Sequence, residues 1–440
     1  MSPRASTPAP TRPDAGRPAA DVPTIDWRRV AYHALVSRAL DDLEEDVNRR
    51  KASVPREHLV LYQFSARGHE VAQVILGAML DRPHDAAGAY YRSRPLLLSL
   101  GLSIEDALAS PLGRQGGFSG GRDIGVVCNL PQKAGAVVLP MAGDVGSQYT
   151  PVAGWAQSIR YHRDVLGDAS WDGSLGVALG GEASVATNGF WSALTIATTL
   201  ELPMLFYVED NALGISVRSH MQTPGANIAS NLASFRNLFV RDGDGCNPAE
   251  SARLLHEGVS HVRAGKGPAL VRLTVPRLNS HSGPDNQKGY RTEEEIAQDF
   301  ARDPLPKLKA FLEGGLLPAR EWDALKAEVE RDVERAVAGA RARPAPTADG
   351  IRRFVYAEPT KAGDRDNEAM GGLTAEELRN LGGSETPSEE GPSVRFAEAV
   401  RRTLARELEI NPKVLVFGED VGRKGGVHLV TEGLQKRFGE

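Results

Sequence analysis

Between Ser174 and Ser216 the hydrophobic period changes twice. Leu175 to Leu179 is continuously apolar and stops at Gly180-Gly181, as a strand buried on both faces stops at a tight turn. Phe190, Ala193, Leu194, Ala197 and Leu200 then fall at helical spacing, with Thr187 and Asn188 as caps and Pro203 as the stop. Met204 to Val208 is apolar throughout again. The pattern predicts a right-handed βαβ unit in a parallel sheet, with both strand ends at one edge. Glu182 follows the first strand, and Asp210 and Asn211 follow the second.

The same reading extends along the chain. Val30, Leu35, Leu40 and Leu43 predict a helix over Trp27 to Asn48, and Val71, Val74, Ile75 and Met79 predict one entering at Gly68 or His69. Ala269 to Val275 reads as a further buried strand, and residues 295–340 as long amphipathic helices. Residues 1–24, rich in Pro, Ala and Arg, form a disordered tail, and 341–391 lose periodicity as a linker does. The pattern restarts in 392–440, with a helix over Phe396 to Leu408 and a strand over Val414 to Phe417. The expected fold is therefore α/β: a parallel sheet with helices on both faces over 25–340, then the incomplete start of a second α/β domain. That second part is shorter than the ~100 residues of a usual domain. The expectation is that it is either truncated or completed by another polypeptide.

Composition narrows the function classes. With 440 residues and 41% hydrophobic content the chain is long enough for two or three full cores. A net charge of −5, and the lack of a basic cluster interleaved with aromatics, argue against a nucleic-acid partner and for a small substrate. No apolar run reaches membrane-span length, and the first residues lack a secretory h-region. Cys128 and Cys246 show no paired metal-ligand spacing and read as reduced thiols, so the expected location is cytoplasmic.

In open parallel sheets ligands sit outside the carboxyl ends of the strands, so Glu182, Asp210 and Asn211 can converge on one point. A hard divalent cation, Mg²⁺ or Ca²⁺, wants such oxygens, and the loop Ala212-Leu213-Gly214 can add a carbonyl. A purely structural βαβ unit with solvated loop ends accounts for the spacing equally well. Tyr91 and Arg92 offer donors to a phosphate, or belong to a solvated cluster with Arg94. The glycine-rich segment Gly113 to Gly125 could cradle an anion, and His281 is a single loop histidine.

The stretch GGEAS, followed at Asn211 by EDNALGIS, resembles the thiamine diphosphate motif of the alpha subunit of 2-oxoacid dehydrogenase E1 components. In that family it starts with Gly-Asp-Gly or Gly-Glu-Gly and ends in Asn-Asn. Ala183, Asp210 and Leu213 are departures, at the second glycine, the first asparagine and a common tyrosine. The resemblance implies a cofactor-binding turn at Gly181, Glu182 and Ala183, and Mg²⁺ held by Glu182, Asn211 and the Leu213 carbonyl. YYRSRP matches the stretch whose Tyr91-Arg92 pair contacts the diphosphate, and Gly68 to Glu70 also match the family. GDVGSQYTPVAG implies contact of Val145 with the aminopyrimidine; the family's usual serine is absent at Gly143, losing a hydrogen bond. The match of the His-Ser loop to the family implies a place for His281 in the active site, assisting acyl transfer, and for Arg277 near the cofactor phosphate. The resemblance also implies that Arg122 organises loops, and Ser282 stands where mitochondrial relatives are phosphorylated.

FVYAEP resembles the junction of alpha-beta fusions, and the segment from Ser393 to Glu440 the opening of E1 beta. The family's activating glutamate comes from the beta part and has no counterpart here; Glu419 is not it. The implied activity is oxidative decarboxylation of a 2-oxoacid with acyl transfer to a lipoyl group on an E2 partner. Pyruvate, branched-chain and acetoin-type substrates are all compatible with it. An α₂β₂-like or homodimeric assembly with an E1 beta domain or chain is implied as well. Two alternatives stand beside it. One is a non-catalytic fragment or subunit that needs a separate beta chain. The other is a Rossmann-type nucleotide enzyme, disfavoured because GGEAS lacks the dinucleotide glycine spacing.

Overall fold

The computed structural model describes residues 23–50, 53, 60, 63–116, 119–122, 130, 135–353, 376 and 392–439. The tail over 1–22, Cys128, the FVYAEP stretch, most of the linker and part of the glycine-rich segment lie outside the described residues. The chain divides into two compact units, Met1–Thr347 and Ala348–Glu440.

The first unit runs α1 (Trp27–Arg49), α2 (Glu70–Gly77), β1 (Ala86–Gly88), α3 (Arg94–Ser99), α4 (Ile104–Ala109), β2 (Val137–Val138) and α5 (Tyr149–Arg160). It continues with β3 (Gly176–Gly181), α6 (Asn188–Thr199), β4 (Met204–Asp210), β5 (Leu213–Gly214), β6 (Val217–Arg218), α7 (Ile228–Asn231), β7 (Phe239–Asp244), α8 (Pro248–Arg263) and β8 (Ala269–Thr274). Three helices close the unit: α9 (Glu293–Ala301), α10 (Pro304–Glu313) and α11 (Ala319–Ala342). Six strands form one sheet in the order β2-β1-β3-β4-β8-β7, every neighbouring pair parallel. No helix among the described residues is long and apolar enough to cross a membrane.

The central strands are buried almost throughout, and successive side chains enter opposite cores. Val177, Leu179, Leu205, Tyr207, Val271 and Leu273 join one core with residues of α1, α2, α8, α10 and α11. Ala178, Met204, Phe206, Val208 and Leu270 join a second core with α5 and α6. Successive side chains of a strand point to opposite faces, so a sheet with helices on both faces needs apolar residues at every position, which is the continuous run the sequence carries. The predicted βαβ unit is present with β3 and β4 adjacent, paired from Gly176↔Met204 to Gly181↔Glu209. Thr187 caps α6, its side chain accepting from the Phe190 N–H.

The second unit contains α12 (Phe396–Ile410) and α13 (Leu434–Phe438). The strand expected over Val414 to Phe417 is not formed: the segment joins no strand ladder among the described residues, and Leu415 and Phe417 are 54% and 89% exposed. An interior parallel strand needs partners on both edges, and the described residues here supply no other strand.

The loop before α5 depends on one glycine. Gly146 has φ +88°, and a Cβ there would stand 2.2 Å from Thr187 Oγ1, the cap of α6. Gly146→Ala is expected to cost at least about 1 kcal/mol, from the left-handed backbone and the displaced cap together. Thermal unfolding beside the unchanged chain checks this.

Candidate functional site

Because all six strands run the same way, their carboxyl ends meet at one edge, and there a cavity of ≈460 Å³ opens. Its walls are Tyr90 to Arg92, Ala142 to Gly146, the Gly181 to Ser184 turn and residues of the Asn211 to Ile215 loop, with Phe64, Gln148, Gln222 and His281. Nine residues singled out from the sequence therefore share one space: Tyr91, Arg92, Val145, Gly181, Glu182, Ala183, Asn211, Leu213 and His281.

Glu182 opens the turn after β3. It is 4% exposed, and its Oε2 accepts from the Asn211 backbone N–H at 3.2 Å. Burial, and then the charge of Asp210, raise its carboxyl pKa to about 7. The Asn211 side chain accepts from the Leu213 N–H at 3.1 Å through Oδ1, which orders the loop. Among the described residues no group of three or more His, Cys, Asp or Glu side chains could hold a metal ion. A cation here would rest on one carboxylate, an amide oxygen and a backbone carbonyl, the hard-oxygen set that Mg²⁺ takes when water and phosphate supply the rest.

Asp210, expected to converge with Glu182, does not line the cavity. Its Oδ2 takes Arg272 Nε at 2.8 Å and Nη2 at 2.7 Å, and its Oδ1 accepts from the Ala212 N–H at 2.8 Å. Arg277 is also absent from the walls. Fully buried, it donates from Nη1 to the Ile215 carbonyl at 2.8 Å and from Nη2 to the Tyr290 hydroxyl at 2.7 Å, so it braces one wall from behind. Its Nε is buried with no hydrogen-bond partner among the described residues. Arg92 does face the cavity, yet its two Nη atoms already donate to the Ser65 and His281 carbonyls.

The His281 ring meets Phe64 and Tyr91 edge-on, with centroids 5.4 and 5.6 Å away. Burial, with Arg92 and Arg277 nearby, lowers its pKa to about 4, so the imidazole is neutral at pH 7. The Asp285 carboxylate holds the loop by accepting from the His281 N–H at 2.7 Å and the Tyr290 hydroxyl at 2.5 Å.

These residues line one cavity at the strand ends, and related sequences say which family the chain falls in. The dehydrogenase E1 component family matches residues 38–349. The chain belongs to that family. It is 27% identical over 319 residues to the 2-oxoisovalerate dehydrogenase subunit alpha of Bacillus subtilis, covering 72% of this chain and 93% of that one. It is also 24% identical to the pyruvate dehydrogenase E1 component subunit alpha of Mycoplasma pneumoniae, over 67% and 76% of the two chains. Against the 3-methyl-2-oxobutanoate dehydrogenase subunit alpha of Mycobacterium tuberculosis identity is 27%, over 77% and 85%. As a member of the E1 family, in its alpha branch, the chain is a thiamine diphosphate-dependent 2-oxoacid dehydrogenase component, as the motifs implied.

Some wall residues of this E1 chain escaped the sequence reading. Ile215 is one. β5 and β6 pair antiparallel with Gly214 opposite Val217, leaving Ile215 and Ser216 as a two-residue turn. Such a turn demands positive φ at its first residue, and Ile215 takes φ 57° where glycine is the usual choice. Phe64, Tyr90, Gln148 and Gln222 were not singled out, because nothing in their local pattern separates them from packing residues.

The buried Glu182 carboxyl also sets a pH dependence. Its folded pKa lies above the ordinary 4.5, so the native state binds the extra proton and stability falls as pH rises from about 4.5 to about 7. Glu182→Gln is expected to stabilise the ligand-free chain at pH 8 by on the order of 2 to 3 kcal/mol, with the gain vanishing near pH 4.5. Denaturant unfolding at the two pH values measures it.

Proposed function

We propose that this E1 chain decarboxylates a 2-oxoacid with thiamine diphosphate and Mg²⁺ and passes the acyl group to a lipoyl group of an E2 partner. The observation carrying the reading is the convergence of Glu182, Asn211, Leu213, Tyr91, Arg92 and His281 on one cavity at the strand ends. Glu182, the Asn211 amide oxygen and the Leu213 carbonyl would hold Mg²⁺, leaving positions for water and diphosphate oxygens. Gly181 and Ala183 present little side chain beside Glu182, which lets a diphosphate come close to the backbone. Tyr91 adds a hydroxyl. Arg92 lends positive charge more than free donors, and Arg277 adds charge from behind the loop. Val145, 55% exposed on the facing wall, offers the aminopyrimidine an apolar contact. Bound thiamine diphosphate supplies the carbanion chemistry that releases CO₂. The neutral His281 imidazole can take up and return a proton during acyl transfer.

The relatives' names support a 2-oxoacid substrate, since they act on pyruvate or on branched-chain oxoacids. Their designation as subunits supports an assembly with an E1 beta domain or chain, α₂β₂-like or homodimeric. Among the described residues of 392–439 no strand ladder forms, which favours a second reading in which a separate beta-type chain completes the site. Cys246 is a buried free thiol, in keeping with a reducing, cytoplasmic setting.

Calorimetric titration of the chain with thiamine diphosphate, with and without Mg²⁺, tests the site. Mg²⁺-dependent binding is expected, weakened at least about tenfold by Glu182→Ala. Equal binding without the metal, or undiminished binding to a folded Glu182→Ala chain, would remove the assignment. A Cβ at Gly143 would meet nothing within 4 Å, so a serine fits there. Gly143→Ser is expected to tighten thiamine diphosphate binding by up to about tenfold, the worth of one added hydrogen bond.

A further inference from the structure

Beside the cavity lies a polar cluster that the chemistry above leaves unused. Glu209, the next-to-last residue of β4, is fully buried, and its carboxylate is ringed by donors. Oε2 accepts from Gln73 Nε2 and from the Tyr90 hydroxyl, both at 2.8 Å, and Oε1 lies 3.4 Å from the Tyr207 hydroxyl. The orientation of Gln73 is fixed separately: Nε2 also donates to the Arg92 carbonyl at 3.1 Å, and Oε1 accepts from the Leu96 N–H at 3.3 Å. The fourth neighbour is His69, also fully buried, whose Nδ1 lies 3.2 Å from Glu209 Oε2.

An ionised carboxylate only accepts, so the ring nitrogen facing it is the one that carries the proton. A neutral imidazole has a single ring proton, which leaves Nε2 as an acceptor. Asn211 Nδ2 stands 3.4 Å from that Nε2. An acceptor in this place selects the NH₂ end of the amide, and the oxygen end is turned to the other side, where it takes the Leu213 N–H.

We infer that Glu209 and His69 are positioning residues that work in series: Glu209 fixes the His69 proton on Nδ1, and the bare Nε2 holds the Asn211 amide with its oxygen directed away from His69, toward Leu213. The inference rests on the reading of Asn211 as a metal ligand, because only its oxygen can serve a cation and a flipped amide would present two hydrogens instead. Partners of this kind around a metal site are commonly worth 10- to 100-fold in metal affinity. Glutamine at position 69 can reproduce both contacts, donating to Glu209 through its nitrogen and accepting from Asn211 through its oxygen. Leucine reproduces neither.

Two measurements on the full chain decide it. Long-range ¹H–¹⁵N correlation spectra of ¹⁵N-histidine-labelled protein, with the His69 signals assigned by their loss in His69→Gln, read the tautomer directly. A proton on Nδ1 and a bare Nε2 are expected; a proton on Nε2, alone or with a second on Nδ1, overturns the series. Mn²⁺ affinity in the presence of thiamine diphosphate, followed by electron paramagnetic resonance, reads the consequence. His69→Leu is expected to weaken Mn²⁺ binding about tenfold or more, while His69→Gln restores it to near the unchanged chain. A folded His69→Leu chain with undiminished Mn²⁺ affinity overturns the inference. Should the unchanged chain bind no Mn²⁺, the ligand reading of Asn211 fails, and the tautomer alone then upholds or overturns the orientation, since it is read without metal.

Discussion

The Asn211 N–H donates to the Glu182 carboxylate across the ends of two neighbouring parallel strands. That contact exists because β3 and β4 are in register up to Gly181 and Glu209. A slip of one residue would turn the side chains of a strand to the opposite face and exchange the members of the two cores, so the packing on both faces of the sheet fixes the position of the site. Loop conformation adds the detail. Asp210 holds Ala212, Asn211 holds Leu213, and Arg277 holds Ile215, each by one bond to the backbone.

Charge around the site is sorted by the same geometry. Asp210 is spent on Arg272, which also reaches Asp242 at 2.6 Å. Glu182 is left without a cationic partner among the described residues, and burial makes its ionised form costly. A carboxylate in that condition favours whatever brings positive charge, so a divalent cation relieves the cost that folding imposes. The positive groups nearby, Arg92 and Arg277, have their Nη atoms committed to neutral acceptors and set a field for an anion without closing onto Glu182.

Much of this was readable from residues alone, where a local rule and the fold agreed. The unbroken apolar runs at Leu175 and Met204 gave the strands, and Thr187 gave the helix start, because burial on two faces and capping act locally. Nine of the expected site residues meet in the cavity for the same reason: each lies at a strand end or on a loop whose place follows from one. Asp210 lies outside the cavity walls and Arg277 behind them because their partners, Arg272 and Tyr290, are set by tertiary packing that no spacing encodes. His69 read only as a helix entry within a family-like triplet, and the acid facing it is 140 residues away. Val414 to Phe417 has strand composition, but a strand is a property of pairs, and composition cannot supply the second member.

Ile215 has a consequence for how such a protein tolerates change. A β-branched residue at φ 57° is strained, and glycine or asparagine would relieve it without loss of any buried core contact. Selection for heat resistance alone would therefore favour replacing it early. The same replacement would strip an apolar side chain from the cavity wall, so durability and function pull this position in opposite directions.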